Sequence, residues 1–569
     1  MAVTRRVIEP RLRKIGVLGS VESAGEQAEV LAELASATDG DTLEVDFYDA
    51  DWLAPGLIES LAQSLDRGVR LKIVTYHSLL GHSLMRLGFT VHQVTAKPAN
   101  RPFAGCKAIA MGGSANSLSV ILEIVAQLPL SDCVLFIAQH VSEDQPNLLD
   151  RLLQVRTNYR VLMPHHLVPI EPGTIYVAPP GHHMKVSQGL IYLTHDRKMQ
   201  FARPSIDILF ESLAHEYGDQ ALGILLCGYG RDGATGCAAL KNVGGLVLVE
   251  APDACADAKT MPEAAIEAGA CSHIFRQAAI ASVAAAAALG EQAAPNGELL
   301  DMFLNALWEQ HNYDFRGYQR ASLERRLRVL MSQFGLPGFC DFQLAVLSDS
   351  ALFNRMVAEI SVGVTSFFRH PEQFRALRNE VLPYLASFPI LKVWSAGCAT
   401  GEEAYSMAIL LDEMGLLTNS RIFATDSNFY LLELAKSGLF PLPSLEASRE
   451  NYLKSGGLES FDANFQCTTR YLCIRKQLLQ NLIFYRHSLA VSAVFNEFQL
   501  IVCRNVMIYF DAELQHRIFD CFVRSLHRDG FLVLGPQDGL AHMASLHGFV
   551  PAATGSHIYR LTEGAQHGR

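Results

Sequence analysis

At 569 residues the chain is too long for one core and predicts about three to four domains. Apolar residues at 49% and charged residues at 18% exclude a disordered or fibrous chain, and a net charge of -11 excludes the basic surface of a nucleic-acid binder. Twelve cysteines without a CxxC pair, several in apolar runs (Cys133, Cys227, Cys503), read as reduced thiols of a cytosolic core, not as a disulfide framework or a zinc site. The charged start MAVTRRVIEPRLRK has no apolar segment behind it, and no apolar run reaches the ~18 residues of a spanning helix, so no membrane insertion and a cytoplasmic location are expected.

From Lys14 to about Gln93 strands alternate with helices. Leu43, Val45 and Phe47 share one strand face, Leu71 and Ile73 another, and the segments Leu57 to Leu65 and Ser78 to Leu87 come next as helices. The strand, then Trp52-Leu53-Ala54-Pro55-Gly56-Leu57, then a helix, resembles a STAS-type domain. Such domains often carry a phosphorylatable Ser or Thr where Ala54 and Pro55 stand, so the resemblance implies a docking module without chemistry over residues 1–100. Thr95 to Phe103 is polar and proline-broken, a linker.

A second α/β domain is expected over residues 105–290. Lys107 to Met111 is a strand, Gly112 to Ser117 a turn, and Leu118, Ile121, Leu122 and Val125 one helix face. Ser114 thus stands where a strand meets a helix. The run Cys133 to Ala138 delivers Gln139 and His140 at a second strand end, and Leu222 to Cys227 delivers Gly228 to Gly233, with Asp232, at a third. A serine hydroxyl becomes a nucleophile when a histidine takes its proton and a carboxylate holds the imidazolium. By residue type alone the three read sooner as a polar turn, a core histidine and a cap. GGSANS, IAQH, VAPPGHHM, RPSID and GYGRDGATG together resemble the catalytic domain of chemotaxis receptor methylesterases (CheB type). The resemblance implies that Ser114 is nucleophile, His140 general base and Asp232 its orienting partner. Asn116-Ser117 replace the family's usual Gly-Gly, and Tyr229 its usual Met. The pairs His165-His166 and His182-His183 read as surface or structural, because adjacent strand residues face opposite ways, and no metal site is expected.

Ala279 to Ala294 is an alanine-rich helix, succeeded at Pro295-Asn296-Gly297 by a hinge. Residues 297–370 form a helical subdomain, with Arg316, Arg320, Arg325, Arg326 and Arg328 in one short run. That run reads as a solvated face. Residues 371–563 make up the last domain. In it Val393-Trp394 ends a strand, Ser395 to Gly401 a turn of small residues, and apolar positions 404, 407, 408 and 411 a helix. Glycines 397 and 401 admit a ligand to the backbone. A second strand, Arg421 to Thr425, ends in Asp426, an acceptor for two ribose hydroxyls. Without a GKS/T, and with Glu402 and Glu403 in the turn, the loop suits a cationic nucleoside better than a pyrophosphate. Between Gly438 and Asn481, Tyr471 and Cys473 alternate as on a short strand.

VTSFFR, SAGCATGEEAYS, FATD and LIVCRNVMIYF, in this order over about Glu298 to Leu561, resemble the chemotaxis receptor glutamate methyltransferases (CheR type). The resemblance implies S-adenosylmethionine as cofactor, held by Thr365, Arg369, Glu402, Asp426, Leu489, Arg504 and Asn505. Gly363 and Ser488 stand where that family usually has asparagine. The expected fold is α/β multidomain: a small STAS-like module, a doubly wound parallel-sheet esterase, and a helical subdomain with a Rossmann-like methyltransferase. The expected function is reversible methylation of receptor glutamates, with methyl-accepting chemoreceptor helices as partners, and the resemblance implies the run from Arg316 to Arg328 as a dock for those acidic helices, the alternative to a solvated face. A non-catalytic scaffold and a different target protein are the alternatives.

Overall fold

The computed structural model describes the chain except residues 1–3, 10–11, 18–23, 48–52, 54, 76–79, 82–83, 86, 94–102, 104, 142–147, 337, 361–364, 442–444, 468–470, 492–493, 553–554 and 563–569. It divides into two compact units, one of Met1–Lys97, Gly317–Gln319 and Asn354–Arg569, the other of Pro98–Arg316 and Arg320–Phe353. Trp52, Ala54, Gly363 and most of the linker read at Thr95 to Phe103 lie outside the described residues.

In the first unit, β1 (Thr4–Glu9), β2 (Leu12–Val17), β3 (Thr42–Phe47), β4 (Arg70–Thr75) and β5 (Val91–Gln93) form one sheet in that order. It is parallel except for the β1–β2 pair. The alternating Leu43, Val45 and Phe47 are fully buried, together with Leu57 and Leu61 of the helix Pro55–Asp66. Strand β1 escaped the sequence reading because TRRVIE lacks apolar alternation; its place is secured by pairing with β2.

The larger sheet of this unit holds β16 (Leu391–Ala396), β17 (Ser420–Asp426), β21 (Leu482–Arg486), β22 (Phe498–Cys503), β23 (Leu526–Leu534), β24 (Phe549–Pro551) and β25 (Ile558–Leu561), ordered β21-β17-β16-β22-β23-β25-β24. The first five are parallel and β25 is antiparallel to β23. The chain runs outward from β16 and then returns to its other side at β22. A crevice therefore opens beyond the carboxyl ends of β16 and β22, where such sheets take ligands.

Inserted between β17 and β21 is a small antiparallel sheet of β18 (Leu439–Pro441), β19 (Phe465–Cys467) and β20 (Tyr471–Ile474), ordered β18-β20-β19. Its faces enter different cores. Leu439 and Tyr471 pack into the core of the β1–β5 module, with Cys473 against it. Phe440, Leu472 and Ile474 pack into the core around Phe367 and Tyr405. The period of two in a strand produces this division.

In the second unit β6 (Ala108–Gly113), β7 (Val134–Gln139), β8 (Arg160–Leu162), β10 (Thr174–Val177), β13 (Ala221–Leu225), β14 (Leu246–Glu250) and β15 (His273–Phe275) form a parallel sheet ordered β15-β14-β13-β6-β7-β10-β8. Its strands are buried almost throughout, as helices on both faces require. A three-stranded antiparallel sheet joins β9 (Val168–Pro169), β11 (His183–Ser187) and β12 (Leu190–Thr194). The order reverses between β6 and β13, again marking a ligand crevice.

The alanine-rich run forms the helix Gln277–Leu289, and its residues 279–287 are fully buried. Hydrogen bonds tie it to its neighbours, so the expected hinge at Pro295-Asn296-Gly297 joins two packed helices instead. Glu309 and Gln310, at the far end of the helix Gly297–His311, accept from the amides of Ala278 and Arg276, and Ser282 donates to Gln343. Alanine on every face lets neighbouring helices approach closely, and a helix apolar all round shows no amphipathic stripe to read. Arginines of the basic run have acidic partners: Arg316 pairs with Asp314, Arg320 with Asp301 and Arg328 with Glu324. Arg325 is exposed on the helix Arg320–Gln333.

Candidate functional sites

The three residues read from strand ends in the second unit converge. Strand β6 stops at Gly113, and Ser114 enters a short 3-10 turn before the helix Leu118–Gln127. Its amide donates to the Cys227 carbonyl at the end of β13, and the His140 amide donates to the Gly113 carbonyl. Close approach fixes two glycines here: a Cβ at Gly113 would lie 2.1 Å from Ser117 Oγ, and one at Gly228 2.9 Å from Ser114 Cβ. Ser117 donates to the Ser114 carbonyl at 2.5 Å. The residue that departs from the family pattern is thus part of the turn.

His140 Nε2 lies 2.8 Å from Asp232 Oδ2. Asp232 is 1% exposed and accepts three further bonds, from Ser205 Oγ at 2.8 Å, the Ile206 amide at 2.8 Å and the Asp207 amide at 3.0 Å. Burial pushes its pKa up, but the His140 hydrogen bond and the two amides together hold it below the usual carboxylate range. Those amides open the helix Ile206–Tyr217, whose N-cap is Ser205, so the helix dipole adds to the same effect. Asp207 in turn accepts from the Gly233 and Gly236 amides, and burial pushes its pKa to about 6.

Ser205 stands in the RPSID run, where nothing local marks it as a partner of Asp232. We expect Ser205→Ala, which removes one of four bonds to a buried carboxylate, to lower hydrolysis at this site about tenfold to 100-fold, since such a bond is worth roughly 1.5–3 kcal/mol. Steady-state kinetics on the full chain checks this, and Ser205→Thr should restore most of the rate.

His183 accepts from the Ser205 amide through Nδ1 and faces the Arg197 carbonyl through Nε2. That pattern fixes a neutral ring, and burial lowers its pKa. His166 Nδ1 accepts from the Leu193 amide. Both histidines serve the β-sheet around them. The expectation of reduced thiols fails at Cys227, which is bonded to Cys255 across 28 residues. Spacing cannot reveal a pair formed by a strand end and a distant loop.

In the first unit a cleft of about 950 Å³, open to solvent, lies at the carboxyl ends of β16, β17 and β22. Thr365, Arg369, Asp426, Leu489, Arg504 and Asn505 line it, six of the seven residues expected. Glu402 does not. It is buried and accepts from Thr400 Oγ1 at 2.6 Å, while its neighbour Glu403 faces the cleft. Successive helical residues point about 100° apart, so a Glu-Glu pair offers one member to any given side. Gly397, at φ 76°, and Val506 pass so closely that a Cβ there would lie 2.5 Å from Val506 Cγ2.

Asp426 Oδ2 accepts from the Ala399 amide at 3.0 Å and Oδ1 from the Asn428 amide at 2.8 Å. The Ser427 amide also bonds this carboxylate, which with up to four lone-pair sites keeps acceptor capacity for a ligand. Burial pushes the Asp426 pKa up, and the amides counter it. Glu403 pairs with Arg504 at 3.3 Å and accepts from Ser395 Oγ at 3.0 Å. Burial disfavours charge on both partners, raising the Glu403 pKa and lowering that of Arg504. Arg504 also donates to the Arg369 carbonyl and lies over the Phe374 ring at 5.3 Å. Asn505 Nδ2 is buried with no partner among the described residues. Two carboxylates, an unused amide donor and a glycine-walled loop fit a nucleoside bearing a cation. Tyr318, Glu403, His487 and Tyr509 also line the cleft, beyond the residues expected there. Glu403, His487 and Tyr509 lie within or beside the motifs of the sequence; nothing local marks Tyr318, which arrives from a distant segment.

The two sheets, each with its polar residues gathered at a strand-order reversal, define a chain that joins a hydrolase to a nucleoside-dependent transferase. The chain belongs to the CheB methylesterase and CheR methyltransferase families, in that order. The CheB methylesterase model matches residues 109–283, the CheR methyltransferase all-alpha domain residues 298–361, and the CheR methyltransferase SAM binding domain residues 363–555. A Pseudomonas putida protein provisionally named methyltransferase Cher3 is 40% identical over 46% of this chain and 95% of its own. A chemotaxis protein methyltransferase of Listeria monocytogenes is 32% identical over 41% of this chain and 86% of its own. A Leptospira interrogans protein, provisionally named a protein-glutamate methylesterase/protein-glutamine glutaminase, is 31% identical over 31% of this chain and 92% of its own. The chain is therefore an enzyme of both classes, and its cofactor is S-adenosylmethionine. Among the described residues no helix is long and apolar enough to cross a membrane.

Proposed function

We propose that this chain methylates and demethylates glutamate side chains on the cytoplasmic helices of chemoreceptors. What carries the reading is one observation: a bonded His140–Asp232 pair next to Ser114, with the His140 amide on the Gly113 carbonyl, and a carboxylate-lined cleft occur in one chain, in separate units. One makes the ester that the other breaks. A cytoplasmic location belongs to the same proposal, because a charged cofactor does not pass unaided through hydrocarbon.

In the esterase, Asp232 occupies His140 Nε2, so Nδ1 is the basic nitrogen. Ser114 Oγ adds to the ester carbonyl as its proton passes to His140, and collapse expels the methoxy group, which takes that proton and leaves as methanol. Water then adds to the acyl-serine, giving its proton to His140, and the glutamate departs as Ser114 recovers its hydrogen. Asp232 holds the ring and its charge throughout.

In the methyltransferase, bound S-adenosylmethionine supplies an electrophilic methyl group on a sulfonium. Asp426 is assigned to the ribose hydroxyls, Glu403 in place of Glu402 to the cationic end, and the Asn505 amide to an acceptor on the nucleoside. Thr365, Arg369, Leu489 and Arg504 complete the wall. A glutamate carboxylate is ionised near pH ~7 and needs orientation more than a base.

Incubating the protein with receptor cytoplasmic domains and labelled S-adenosylmethionine tests both halves, through ester formation and methanol release. Neither product would refute the reading. Residues 1–97 show no receiver-type aspartate cluster with its lysine, so acetyl phosphate is expected to leave methanol release unchanged. A several-fold rise in rate would overturn that expectation.

A further inference from the structure

Between β12 and the helix Ile206–Tyr217, the chain makes a tight turn that folding alone does not explain. Met199 and Ala202 exchange backbone hydrogen bonds, leaving Gln200 and Phe201 as the two central residues, at φ 46° and 67°. A two-residue turn with both φ values positive favours Asn-Gly, and a bulky aromatic there is strained. Phe201 is also 96% exposed, so it gains nothing from burial. Next to it, Met199 is 41% exposed, and Arg197 and Lys198 are exposed. The adjacent Asp196 is already bonded to Lys185 and Thr194.

The stem of this turn is anchored to the esterase site. Arg203 donates to the carbonyls of His195 and Asp196, and the His195 ring lies 3.8 Å from that of His182. His183 faces the Arg197 carbonyl through one nitrogen and the Ser205 amide through the other, and Ser205 bonds Asp232. From Ser205 to Phe201 is four residues, a reach of at most about 14 Å. An α-helix with its side chains is about 10–12 Å across. The two lengths are comparable, so a helix docked with one glutamyl ester at the esterase site is wide enough to span a distance of that order.

We propose that the Asp196–Arg203 turn is the substrate grip of the esterase, with Phe201 and Met199 taking an apolar stripe of the methylated helix and Arg197 and Lys198 its unmethylated glutamates. This rests on the proposed methylesterase function. Exposed aromatics that cost strain are kept where they bind, and charge opposite to the partner's acidic groups speeds encounter and sets orientation.

The test compares the full chain with Phe201→Gly and with the double variant Arg197→Glu, Lys198→Glu. Methanol release is followed on a methylated receptor cytoplasmic domain and on a blocked glutamate γ-methyl ester. Phe201→Gly relieves the turn, so folding is not at risk. On the protein substrate each variant should lose at least about tenfold in kcat/KM, carried by KM with kcat retained. On the small ester both should match the parent. Unchanged KM for the protein substrate in both variants overturns the grip while leaving the esterase intact. An equal loss on the small ester also overturns it, showing a disturbed triad. A parent that releases no methanol from the small ester refutes the esterase reading itself, and the grip with it.

Discussion

Ser114→Ala is expected to abolish methanol release from methylated receptor while methyl transfer by the same chain continues at the parent rate. The size of the loss reflects how little else can take over. Without Oγ there is no acyl-enzyme, and His140 and Asp232 are left to assist water alone. In serine hydrolases removal of a triad member costs several orders of magnitude, roughly 10⁴-fold or more. Asp232→Asn should approach the same loss, because an amide at Oδ2 offers His140 the wrong hydrogen-bonding partner. The cofactor cleft is built by residues of the other unit, so labelled methyl incorporation is the internal control. Methanol release at the parent rate from Ser114→Ala would sink the triad assignment, and loss of both activities would show that the halves act as one.

The second large effect is expected at Asp426. Its carboxylate is bound to the amides of Ala399 and Asn428, and so is held where two ribose hydroxyls can reach its remaining lone pairs. Hydrogen bonds to a charged group contribute about 1.5–3 kcal/mol each, so Asp426→Ala should weaken S-adenosylmethionine binding by about 100-fold or more. The same change frees the amides of Ala399, Ser427 and Asn428, which adds to the loss. Calorimetry gives the affinity, and undiminished esterase activity in the same preparation shows that the chain is folded. Gly363→Asn, which supplies the asparagine that the resemblance to the glutamate methyltransferases implies before Thr365, is expected to tighten binding about twofold to tenfold, the worth of one neutral hydrogen bond. Parent-like binding by Asp426→Ala would mean that the cleft is not the nucleoside site.

Much of both sites was legible because it is local. A strand that stops in small residues and resumes as a helix states its own geometry, and so Ser114, Asp426 and the Gly397 to Gly401 loop could be placed without coordinates. Resemblance of long, ordered motifs then supplied partners that no single stretch contains. Arg369 and Asn505 stand out by no chemistry of their own, only as members of the motifs VTSFFR and LIVCRNVMIYF, and both line the cleft.

What the chain order could not state was every relation set by packing. Glu402 and Glu403 are chemically the same, and only the seating of the helix Glu402–Glu413 on its sheet turns the second toward the cleft and the first toward Thr400. The bond between Cys227 and Cys255, the Ser205 and His183 links behind Asp232, and the apposition of Tyr318 with Phe510 join residues far apart in the chain. The insert sheet shows the division most clearly. Alternation in Tyr471-Leu472-Cys473 predicts two unlike faces, but both faces are apolar and each needed a cover. Which core covers which face is decided by the free energy of removing apolar area from water. That quantity has no direction, so only the completed fold assigns Tyr471 to the N-terminal module and Leu472 to the methyltransferase.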